Sequence, residues 1–108
     1  GQESRPAAPV AASYTKTMSD NAPQALQVTA DRSAKAVVVR WEYELPALEF
    51  RIYRKKGDEG LELYKAVEGS DKVLYDRQVQ INNSYVYGVQ AVTLAGLRSK
   101  IVFSTINF

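Results

Sequence analysis

Glu42 and Glu44 stand two residues apart at the end of the alternating stretch Val37-Val38-Val39-Arg40-Trp41-Glu42-Tyr43-Glu44. On an extended chain this spacing puts two carboxylates on one face about 6.5–7 Å apart, a separation that suits an inverting glycosidase pair. They are the acid–base chemistry the composition leaves open, because the 108 residues contain no histidine and no cysteine. Ser-His-Asp and Cys-His catalysis, thiolate chemistry, disulfides and zinc sites on imidazole or sulfur are excluded with those two residue types. Nothing in the surrounding sequence sets one glutamate apart as acid and the other as base, so the pair reads as a solvated face beside Arg40. No catalytic residue, cofactor or metal site is expected.

The second chemistry is cationic and aromatic. Arg51, Arg54, Lys55 and Lys56, with Tyr53 interleaved, could grip a phosphate or an acidic glycan. Asp58, Glu59 and Glu62 follow at once and largely cancel the local field. The whole chain carries only +2, from 14 basic and 12 acidic side chains, so no nucleic-acid partner is expected. Tyr43, Tyr53, Tyr64, Val86 and Val92 read as outward-facing, and an apolar, tyrosine-bearing surface could meet a neighbouring domain or stack on a sugar. The candidate binding surface is therefore Tyr43, Arg51, Tyr53, Lys55 and Tyr64. Asn82-Asn83-Ser84 fits the acceptor pattern for N-glycosylation and equally fits a turn; the turn is the preferred reading.

These side chains need strands to hold them. Leu26, Val28 and Ala30 alternate with polar residues, and Asp31-Arg32-Ser33 turns the chain. Ala36–Tyr43 follows with Val37, Val39 and Trp41 on one face. Pro46 breaks the ladder, and Glu49–Lys55 resumes it with Phe50 and Ile52 inward. Lys56-Gly57-Asp58-Glu59-Gly60 is a turn that needs Gly57 for a positive φ. Leu61–Val67, Val73-Leu74-Tyr75 and Ser84–Thr93 are the next strands, the last with Tyr85, Tyr87, Val89 and Ala91 inward. Leu94-Ala95-Gly96 makes a hairpin into Arg98–Ile106. About seven short strands and no helix predict an all-β, seven-stranded antiparallel sandwich.

The ordered set of strands resembles the fibronectin type III domain, an immunoglobulin-like sandwich, in the variety found in bacterial secreted and surface proteins. Val37-Val38-Val39-Arg40-Trp41 is similar to its second strand, with the buried tryptophan at the end. Phe50-Arg51-Ile52-Tyr53-Arg54 is similar to its third, and Val73-Leu74-Tyr75-Asp76 to the short strand before the final pair. Tyr85-Val86-Tyr87-Gly88-Val89-Gln90-Ala91-Val92 and Gly96-Leu97-Arg98-Ser99 complete the set. Tyr85 lies six residues after Val79, the spacing of the family's tyrosine corner, which implies a hydroxyl bonded to backbone upstream. The resemblance places the adhesive tripeptide of some members in the last hairpin, which here is Leu94-Ala95-Gly96; Lys56-Gly57-Asp58 therefore reads as a charged turn.

The resemblance covers residues 23–108, and residues 1–22 read as a linker or flexible arm, with a short leading strand around Val10–Thr15 as the competing reading. It implies a non-catalytic spacer or docking module of a larger extracellular protein, such as a carbohydrate-degrading enzyme or a surface glycan-handling protein. The alternative is a binding module for a glycan or a protein. Partners are then neighbouring domains of the same polypeptide, with no membrane span and a monomeric state for the isolated domain.

Overall fold

The computed structural model describes residues 22–108, and the arm expected over 1–22 lies outside them apart from Ala22. Seven strands are present: β1 (Gln24–Asp31), β2 (Ala36–Glu42), β3 (Ala47–Lys56), β4 (Glu62–Glu68), β5 (Val73–Asp76), β6 (Ser84–Thr93) and β7 (Val102–Asn107). They form two antiparallel sheets, β1-β2-β5 and β4-β3-β6-β7. The long central pair β3 and β6 sets the register of the larger sheet, with Ile52 opposite Val89 and Arg54 opposite Tyr87.

Alternation decides what is buried. Val37, Val39, Trp41, Phe50, Ile52, Tyr85, Tyr87, Val89 and Ala91 are between 0% and 2% exposed and fill the space between the sheets. The Trp41 and Phe50 rings meet edge to face at 5.4 Å, joining the two sheets. The Tyr85 hydroxyl accepts a bond of 2.7 Å from the backbone N–H of Gln80, which closes the tyrosine corner and contributes about 1 kcal/mol.

Loop chemistry accounts for the turns. Gly57 has φ +54°, and its N–H donates to the Ser84 carbonyl at 2.8 Å. Gly69 lies so close to β3 that a Cβ there would collide with the Ala47 carbonyl. The last hairpin departs from the expectation that β7 starts at Arg98. Arg98 makes only an isolated bridge to Val92, and the ladder resumes at Val102. The cause is Ser99: its N–H donates to the Ala91 carbonyl, and its hydroxyl accepts from the Ala91 N–H, so a side chain replaces the next backbone partner.

β1 and β7 lie side by side and run in the same direction. Arg32, just after β1, donates to the Phe108 carbonyl oxygen at 2.8 Å and covers the Phe108 ring at 5.2 Å. Gln24 therefore sits at one pole of the sandwich and Phe108 at the other, roughly 23 Å apart along the length of β1.

Candidate functional site

The outer face of the larger sheet gathers part of the surface expected from sequence. From Glu49 onward the odd-numbered residues of β3 point outward there, which puts Arg51, Tyr53 and Lys55 in one line. Register then fixes their neighbours. Lys55 pairs with Val86, which pairs with Thr105; Arg51 pairs with Gln90 and Ala66. Between those two rows run Leu63, Tyr53, Gly88 and Phe103, four residues side by side across four strands. Leu63 and Phe103 are 47% and 53% exposed, so the row is an apolar stripe open to solvent.

Polar contacts stiffen the face. The Tyr53 hydroxyl donates to Gln90 Oε1 at 3.0 Å, and Gln90 Nε2 donates to the Ser99 carbonyl at 2.9 Å. The nearest carboxylate to Arg51 is Glu49, with a long 3.8 Å separation from Nη1, and the buried Nε–H of Arg51 has no hydrogen-bond partner.

Two residues expected on this surface lie elsewhere. Tyr43 is buried and packs edge to face on Phe50 at 5.6 Å, because it continues the inward parity of Val39 and Trp41 past the end of β2. Its hydroxyl is buried without a partner, and burial pushes its pKa up. Tyr64 faces the interior because β4 shifts register between the residues opposite Ile52 and Tyr53. Val86 is half-buried, while Val92 points outward yet is covered.

The basic cluster is also divided. Arg54 shares the inward parity of Phe50 and Ile52 and ends beside Asp76, a fully buried aspartate that is not among the residues expected at a site. Asp76 Oδ2 accepts from Tyr87 at 2.6 Å and from Arg54 at 2.8 Å; Oδ1 accepts from Tyr64 at 2.7 Å and from the Gln78 N–H at 2.9 Å. The guanidinium of Arg54 also lies 4.2 Å over the Tyr64 ring. Burial alone would push the Asp76 carboxyl up, but these four donors outweigh it and hold it below the ordinary carboxylate range. Burial and the carboxylate raise Tyr64 to about 12 and push Tyr87 higher still. A carboxylate with four donors and no exposure cannot take a proton from a substrate, so its chemistry is to join the sheets. The signal was present in sequence: Asp76 continues the inward parity of Leu74.

The remaining candidates stay apart. Glu42 closes β2, Glu44 lies in the bend beyond it, and both are exposed. A groove of about 470 Å³ is lined by Ala25, Gln27, Arg40, Trp41, Glu42, Lys72 and Val73, and Glu44 does not reach it. Asn82 is exposed in a turn with φ +67°. Among the described residues, no group of three or more acidic side chains is placed to hold a metal ion.

Two sheets in this order, joined over a buried tryptophan and closed by a tyrosine corner, define a fibronectin type III sandwich. Solved structures bear this fold out, several of the similar ones being fibronectin type III domains. A Fn3-like protein from Clostridium thermocellum matches with a TM-score of 0.62 at 20% identity, over 76% of this chain and 88% of that one. A β-1,2-glucanase from Parabacteroides distasonis matches with a TM-score of 0.67 at 20% identity over 81% of this chain. The chain spans only 12% of that glucanase. A pectate lyase from Pectobacterium carotovorum matches with a TM-score of 0.58 at 20% identity, over 73% of this chain and 25% of its own. No protein-family model and no curated protein sequence matches the chain.

Proposed function

We propose that the domain is a non-catalytic spacer or docking module within a larger, secreted carbohydrate-active protein. The observation that carries this reading is the position of Gln24 and Phe108 at opposite poles of one stiff sandwich. A module threaded this way sets the distance between whatever precedes and follows it. Two similar structures support the carbohydrate context, since both the glucanase and the pectate lyase are much longer than the part matched here. Asp76, the buried carboxylate among the described residues, is saturated by donors, which supports a non-catalytic role. No helix among the described residues is long and apolar enough to cross a membrane.

The test is deletion of residues 23–108 from the full-length parent. Turnover of insoluble polysaccharide is expected to fall while turnover of a soluble oligosaccharide holds. Equal losses on both substrates would overturn the spacer reading.

A further inference from the structure

We propose that the outer face of the larger sheet is a platform for a uronate-bearing carbohydrate chain, with Arg51 holding a carboxylate and Phe103 and Tyr53 lying beneath sugar rings. The proposal deepens the carbohydrate-active reading above and rests on it.

Phe103 supplies the first argument. Gly88 sits in the interior of the central strand β6, where a side chain would ordinarily stand. The Phe103 ring occupies that space instead: Cε1 and Cδ1 lie 2.8 and 3.0 Å from where a Cβ of Gly88 would be, with Ile101 Cγ2 at 2.9 Å. A ring that leans onto the backbone in this way keeps its other side open, and Phe103 is 53% exposed. A pyranose presents an apolar face with hydroxyls at its rim, which is the shape such a surface accepts. Tyr53, in the same cross-strand row, is fixed by the chain from its hydroxyl through Gln90 to Ser99, so little ordering remains to be done on binding.

Arg51 supplies the second. It stands one row from Phe103 with a buried, unpartnered Nε–H and only a 3.8 Å approach to Glu49. The buried Nε–H lies too deep to reach a ligand, but the Nη groups make no hydrogen bond among the described residues and can present their fork to a planar carboxylate. Lys55 adds a second cation on the same face, whereas Glu49 and Glu68 lie one row beyond Arg51 on the other side. An anion is therefore accommodated on the Lys55 side of Arg51, over the aromatic row. This charge pattern selects a uronate over a neutral sugar.

Titration of the 108-residue chain with a galacturonic-acid oligomer, followed by NMR and calorimetry, tests the proposal. Amide shifts are expected at Arg51, Tyr53, Gly88 and Phe103. The fully methyl-esterified oligomer, which keeps the rings and loses the charge, should bind about tenfold or more weakly, as should Arg51→Gln. Phe103→Ala provides a second, exposed variant, and it should weaken both oligomers. No shifts at millimolar oligomer, equal affinity for the ester, or shifts away from this face would overturn the proposal. So would capture of an acidic peptide of the same charge in preference to the oligomer. None of these failures touches the deletion experiment on the parent, so the two readings fail separately.

Discussion

The hydroxyl of Tyr87 on β6 donates to the carboxylate of Asp76 on β5 at 2.6 Å, across the space between the two sheets. Both residues are fully buried, and Arg54 shares the same carboxylate oxygen. Removing the hydroxyl leaves a buried charge short of one donor. Tyr87→Phe is expected to cost about 1.5–3 kcal/mol, the range for a hydrogen bond to a charged group. Urea unfolding should show a lower midpoint at unchanged slope. An unchanged midpoint would mean that the remaining three donors suffice.

The same carboxylate makes the fold acid-sensitive. Its folded pKa lies below the ordinary value of about 3.9, so its contribution is full above that value and is lost as pH falls through the folded pKa. Stability should begin to decline below about pH 5 and fall more steeply below pH 4. Asp76→Asn should be less stable at neutral pH but show a shallower acid limb. Parallel acid limbs for the two proteins would assign the sensitivity to other groups.

Tyr43 offers the opposite sign. Its hydroxyl is buried without a partner, and a buried unsatisfied group costs about 1–3 kcal/mol. Tyr43→Phe keeps the ring on Phe50 and removes the orphan group. The variant should match or exceed the parent by up to about 1 kcal/mol in denaturant unfolding. A clear loss would reveal a partner for the hydroxyl, such as water.

Gly69 and Gly60 differ in what surrounds them. A Cβ on Gly69 would strike backbone of β3, which cannot swing aside, whereas one on Gly60 meets nothing within 4 Å. Gly69→Ala is expected to cost about 1–3 kcal/mol, or some 4–8 °C of melting temperature per kcal/mol. Gly60→Ala should stay within about 0.5 kcal/mol. Equal melting curves would show that the β4–β5 turn moves freely away from Ala47.

The strands and most of the interior were legible because alternation in β2, β3 and β6 carries large apolar residues on one parity only, whereas the order of strands within the sheets was not. The candidate surface was legible only along β3. Tyrosine is amphipathic, so Tyr43 and Tyr64 carry no sign of direction in their type; parity from Trp41 and a register shift in β4 decided them. The Asp76 site needed partners from three other segments, and no local pattern announces a contact between sheets. Phe103 was obscured by the run Ile101-Val102-Phe103, in which three apolar residues hide the period of two. The start of β7 slipped because a serine hydroxyl took over a backbone role.

The placement of Gln24 and Phe108 also decides how the domain resists being stretched. A pull applied through those two residues runs along β1 and β7, not across them. The hydrogen bonds of the β1–β2 and β6–β7 pairs lie perpendicular to such a pull, so they are loaded in shear and must yield together. Had both residues stood at one pole, the same pull would peel the bonds apart one at a time. A pull along that line would therefore be met by both pairs at once, with the Arg32 contact to Phe108 as the outermost bond it loads.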